Sequence, residues 1–179
     1  ENLSIFNKKS IVIPLGEVKI SRKIKSLLII FRTNSNIEIW DQNKKRIFEE
    51  KKIIYVEKSI KSLIKNIHLS NKQIPSLKIK LLILDDNSTH ENLNRIKSIL
   101  DKSKLNYELI NHDIKKYEKL IKNQKTKDTF SNLSSLLTSF NLGKDKCEDL
   151  IFFIEDDYLH FDNMIIEVIK TFERISSQL

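Results

Sequence analysis

Leu150-Ile151-Phe152-Phe153-Ile154-Glu155-Asp156-Asp157-Tyr158-Leu159-His160 is an unbroken apolar run that stops in three consecutive acidic residues. Continuous Ile, Leu and Phe suit a strand covered on both faces, because a half-exposed strand would alternate apolar with polar. Beyond the acidic turn, Phe161, Met164, Ile165, Val168, Phe172 and Ile175 recur at helical spacing, with Asp162 placed as a cap. The stretch therefore reads as strand, acidic turn, helix.

The same grammar repeats upstream. Residues 26–33, 79–84 and 107–111 are further apolar runs of strand length. Between them lie helical stripes: Val56, Ile60, Leu63, Ile64 and Ile67, then Leu93, Ile96, Ile99 and Leu100, then Phe130, Leu133, Leu137 and Phe140. Ser88 with Glu91 forms a capping-box signature for the second helix, and Gly143 is placed to end the third. Strands alternating with helices imply βαβ units with right-handed crossovers, hence an α/β domain with a mainly parallel sheet. Residues 1–24 read as an N-terminal extension in which Ile11-Val12-Ile13 forms one strand, and residues 25–179 read as the domain. Two connections are long: a polar one at 34–55 containing Trp40, and a Lys-rich one at 113–128.

Composition narrows the function classes. A chain of 179 residues, 40% hydrophobic and 31% charged, is one globular domain's worth. No run approaches the roughly 20 apolar residues of a membrane span, and no signal-peptide pattern is visible, so a cytoplasmic setting is expected. Cys147 is the sole cysteine, which leaves no intramolecular disulfide and no cysteine-based zinc site. Gly16 and Gly143 are the only glycines. A P-loop or a dinucleotide fingerprint needs several, so that backbone amides can approach phosphate, and neither can be built here. The net charge of +8 comes from Lys spread along the chain, with only five Arg. Nucleic-acid binding is not expected without a gathered basic face. Weak attraction to an anionic membrane surface is compatible with the charge, at the inner face of the membrane.

In a parallel α/β sheet, ligands bind beyond the carboxyl ends of the strands. Those ends carry Arg32-Thr33-Asn34, Asp85-Asp86-Asn87-Ser88, Asn111-His112-Asp113 and Glu155-Asp156-Asp157. Acidic residues close three of four strands in a positively charged protein. Two carboxylates about 4 Å apart repel by roughly 1 kcal/mol in water and about 4 at an effective dielectric of 20. A hard divalent cation would remove that cost. Strand alternation aims Glu155 and Asp157 the same way. The competing reading is a solvated acidic turn that caps the following helix. Asp85-Asp86-Asn87-Ser88 likewise has a plain reading as a turn, and Arg32 as a surface ion pair.

Taken together, Leu28-Ile29-Ile30-Phe31-Arg32-Thr33, Leu81-Leu82-Ile83-Leu84-Asp85-Asp86-Asn87-Ser88 and Leu150 to His160 resemble the GT-A glycosyltransferases, specifically the family-2-like group. The Glu-Asp-Asp-Tyr-Leu-His string looks like that family's Asp-x-Asp metal motif with Glu in the first place. The resemblance implies a three-layer, Rossmann-like nucleotide-diphospho-sugar transferase fold over roughly residues 25–175. It implies a nucleotide-sugar donor such as a UDP-sugar, Mn²⁺ or Mg²⁺, and a carbohydrate or lipid-linked acceptor. Asp85, or Asp86, would contact the base, and Arg32 and Thr33 would line the nucleotide pocket. Glu155 would lie near the ribose or the metal, Asp157 would bind the metal, and His160 would approach the acceptor side. No catalytic base is assigned. That family places its acceptor-binding strands after the metal motif, whereas residues 158–179 read as one helix, so this chain corresponds to the donor half. A non-catalytic nucleotide-binding module and an unrelated Rossmann-like interaction domain are the alternatives.

Overall fold

The computed structural model describes residues 19–36, 50–119 and 127–177, the side chains of residues 127 and 128 excepted. Four strands form where the apolar runs predict them: β1 (Ser26–Thr33), β2 (Lys78–Asp85), β3 (Tyr107–Asn111) and β4 (Leu150–Glu155). They alternate with α1 (Lys52–Gln73), α2 (His90–Lys102), α3 (Lys127–Lys146) and α4 (Met164–Ser176), and a short 3-10 turn at Ile114–Tyr117 follows β3.

All strand pairs are parallel, in the order β3-β2-β1-β4. The register sets Thr33 beside Asp85, Asp85 beside Asn111, and Arg32 beside Glu155. Alternation along β1 then divides the interior. Leu27, Ile29 and Phe31 face α1, α2 and α4, joined by Val56, Ile60, Leu63, Ile96, Leu100, Ile165 and Ile169. Leu28 and Ile30 face the opposite side with Leu82 and Leu84, against Leu142 and Cys147 around the end of α3. Burying each such Leu, Ile or Phe stabilises the fold by roughly 1.5–3 kcal/mol before entropy is counted. The result is a three-layer, Rossmann-like α/β fold, and none of its described helices is long and apolar enough to cross a membrane.

Several local expectations are corrected. The stripe Phe130, Leu133, Leu137 and Phe140 is not the buried face of α3: Phe140 is half exposed and Leu133 also reaches solvent. Ser131, Ser134, Ser135 and Ser139 face inward instead. Ser134, Ser135 and Ser139 return their hydroxyls to carbonyls of their own helix, which removes the cost of burying them. Small side chains let this helix lie close to the sheet. Gly143 does not end α3, which runs on to Lys146; a Cβ at Gly143 would stand 2.2 Å from Ile151 Cδ1. The cap of α2 is Thr89, whose hydroxyl accepts from Asn92 N, rather than Ser88. The turn after β2 passes through Asn87 in the left-handed region, φ 66°, and this leaves Ser88 outside the helix. Helix α4 starts at Met164 behind Asn163, so Asp162 is not its cap and Phe161 is strongly exposed.

The strand expected at Ile11–Ile13 lies outside the described residues, as does Trp40. The segment before β1 is tied to the end of α4, where Ser21 N and Arg22 N donate to Ser177 Oγ. Ile24 joins the core, and its N–H donates to the buried Glu173 at 3.0 Å. Burial alone would raise the Glu173 carboxyl, but this N–H together with Lys170 and Lys23 holds it below the usual range.

Candidate functional site

The chain leaves β1 toward β2 and β3, then returns to the other side of β1 as β4. The crevice beyond Thr33, between β1 and β4, is therefore the topological switch point at which such sheets bind ligands. Three buried carboxylates surround it: Asp85 and Asp86 at the end of β2, and Asp156 just beyond β4. Each is held differently.

Asp156 is saturated. Its Oδ2 accepts from the Thr33 hydroxyl and from Asn34 N, both at 2.9 Å, while its Oδ1 receives Lys52 Nζ at 2.6 Å. Lys52 is the first residue of α1, so one carboxylate fastens β1, β4 and α1 together. Glu155 and Asp157, on either side of it, are both exposed. Backbone alternation thus aims the middle acidic residue inward and the two expected ligands outward. Glu155 pairs with Arg32, which is anchored from behind by Asn132 O at 3.0 Å and Ser135 Oγ at 3.2 Å on α3.

Asp86 takes the Ser131 hydroxyl at 2.7 Å, and its N–H donates to Thr33 O. Asp85 is the least satisfied of the three. Its Oδ2 accepts from Ser88 N at 3.1 Å, whereas its Oδ1 is buried with no hydrogen-bond partner among the described residues. Burial raises the Asp85 carboxyl above the ordinary carboxylate range, helped by Asp86 and Asp156 and opposed by Ser88. A buried oxygen without a donor costs about 1–3 kcal/mol, so such groups are uncommon away from sites that a ligand or water completes.

Two histidines border the crevice. His112, beyond β3, contacts Ser134 Oγ through Nε2 at 2.8 Å and Thr138 Oγ1 through Nδ1 at 3.1 Å. Partial burial, aided by Arg32, lowers its pKa despite the nearby Asp86 and Asp113, which favours the neutral ring. Ser134 is fully buried, which removes it as a nucleophile toward an outside substrate. His160 lies in the loop after β4. That loop is tied along α1 by His160 N to Ser62 Oγ, Asn66 Nδ2 to Phe161 O, Lys65 to Asp162, and Gln73 to Asn163. His160 Nε2 is buried without a partner, and burial lowers its pKa. With Arg32, Glu155, Phe153, Tyr158 and Leu159, His160 lines a mainly apolar cavity of about 470 Å³ along the side of β4 that pairs with no described strand.

The residues expected from the sequence therefore fall into two adjoining groups. Thr33, Asp85 and Asp86 meet at the switch point with Asp156, while Arg32, Glu155 and His160 line the cavity beside it. Asp157 stands apart in solvent. Among the described residues, no group of three or more Asp, Glu, His or Cys side chains is disposed to hold a metal ion. A divalent ion on this motif would have to draw Glu155 from Arg32, or Asp156 from three donors. Lys52, Asp156 and the serine face of α3 were not marked as site residues by the sequence. The serines were visible as Ser131, Ser134, Ser135, Thr138 and Ser139 at helical spacing, but Lys52 is one lysine among many. Compared with known proteins, the chain matches no family model, no curated protein and no solved structure.

Proposed function

We propose that this chain binds the nucleoside diphosphate of a nucleotide-sugar at the ends of β1, β2 and β4, as the donor-binding portion of a GT-A-like glycosyltransferase. The observation that carries the reading is Asp85 Oδ1, a buried acceptor with no donor, at the strand end where the resemblance puts the base contact. The ring N–H of a uracil base supplies the missing donor. Arg32 at the end of β1, on the α3 side, and Lys52 at the start of α1, on the other side, supply positive charge for the diphosphate. The sugar extends toward the mainly apolar cavity beside His160.

The test is thermal unfolding of the chain with UDP, a UDP-sugar, ADP and inorganic phosphate. UDP and UDP-sugar raise Tm in a concentration-dependent way, by mass action on the folded state, and ADP does so less. Equal, negligible shifts with all four compounds would dismiss the reading.

A further inference from the structure

We infer that the diphosphate subsite works without a divalent metal, with Arg32 and Lys52 carrying the positive charge that the acidic motif would otherwise recruit. The inference rests on the nucleotide-binding reading and departs from the metal dependence that the resemblance implies.

The acidic motif is already neutralised from within. Glu155 lies on Arg32, and Asp156 lies on Lys52, Thr33 and Asn34 with both oxygens engaged. The Lys52–Asp156 pair is largely buried, with side-chain exposures of 17% and 9%. Pulling Asp156 onto a metal would leave a buried ammonium without its counter-ion, a strongly unfavourable state. Asp157, the remaining residue of the motif, is exposed and cannot form a multidentate site alone.

The cations, by contrast, have donors to spare. A guanidinium has five N–H groups and an ammonium three. Arg32 Nη1 is held by Asn132 O and Ser135 Oγ, so its planar fork is fixed in place while Nη2 meets the half-exposed Glu155. Lys52 has two N–H groups beyond the one given to Asp156. An arriving diphosphate can displace Glu155 into water, at little cost for a side chain already 52% exposed, and take over the Arg32 fork bidentately. Asp156 stays where it is and keeps Lys52 aimed at the crevice.

The experiment is calorimetric titration of the 179-residue chain with UDP in excess EDTA and again with Mn²⁺ or Mg²⁺, repeated for Arg32→Gln and Lys52→Gln. Circular dichroism establishes that each variant is folded. The expected result is a Kd in EDTA within about twofold of that with metal, weakened about tenfold or more by either substitution. Binding that disappears in EDTA and returns with Mn²⁺ would overturn the metal-free subsite while leaving the nucleotide reading intact. Metal-independent binding that both variants retain unchanged would also overturn it, since the charge would lie elsewhere. No binding under either condition would sink the nucleotide reading and the inference with it.

Discussion

Asp156 and Asp85 are both buried carboxylates at strand ends on either side of β1, yet their surroundings are opposite. Asp156 has a donor for each oxygen and a lysine to balance its charge. Asp85 has only Ser88, through its N–H and its hydroxyl, to favour its charge, one oxygen without a partner among the described residues, and two carboxylates nearby. In the first case burial is compensated by interactions that join three elements. In the second, Ser88 offsets only part of the cost of burial, and folding alone gives no reason to retain the rest. The comparison separates a carboxylate that holds the crevice together from one that leaves it open to a ligand.

Removing Asp156 should have the largest effect. Asp156→Ala leaves Lys52 buried and unpaired and unties Thr33 and Asn34, so a loss of about 3–5 kcal/mol is expected in chemical denaturation. A loss below about 1 kcal/mol, the level of an exposed ion pair, would erase the contrast with Asp85. A smaller change is expected at Asp86, the intermediate case with a single side-chain donor. Ser131→Ala strips its buried Oδ2 of that donor and should cost about 1–3 kcal/mol. An unchanged midpoint would mean that α3 is not fastened to the site through Ser131.

Much of the scaffold was legible because buried parallel strands leave a conspicuous trace. Residues 26–33, 107–111 and 150–155 became strands with the bounds expected, and 79–84 needed only Lys78 and Asp85 added. Parallel order and flanking helices followed from the alternation of elements. The orientation of α3 was not legible from hydrophobicity, because its inward face is serine. Those hydroxyls satisfy themselves within the helix, and a helix that must approach Ile151 closely at Gly143 gains more from small side chains than from apolar ones. The N-cap signatures of α2 and α4 each failed by one residue, since Asn87 and Asn163 turn the chain through the left-handed region there.

At the site, Arg32, Thr33, Asp85 and Asp86 were singled out because they stand where apolar strands end, and the strand order brings those ends together. Which member of Glu155-Asp156-Asp157 faces inward was not readable from the sequence, because alternation says only that Glu155 and Asp157 share a face, not that this face is the exposed one. Nor did anything local mark Lys52 as the partner of Asp156, since that pairing spans the whole of α1, β2, α2, β3 and α3 in sequence.

The smallest expected change in stability accompanies the largest expected change in binding, and both belong to Asp85. Its folded pKa is raised above the ordinary 3.8, so its stabilising contribution is present at pH below that value and is lost as pH climbs through the raised one. The charged form of Asp85 is therefore a liability, and Asp85→Asn should melt slightly higher than the parent chain at pH above that raised value, with the advantage shrinking as pH falls through it. A charge-assisted hydrogen bond to a base is worth roughly 1.5–3 kcal/mol, about tenfold to a hundredfold in affinity. The most direct measurement is thus a paired one on Asp85→Asn at neutral pH: Tm without ligand, and the calorimetric Kd for UDP. The expected result is a Tm equal to or above that of the parent with UDP affinity reduced at least about tenfold. An unchanged Kd, or a Tm that falls as it does for Asp156→Ala, would contradict the assignment of Asp85 as the open carboxylate of a nucleotide site.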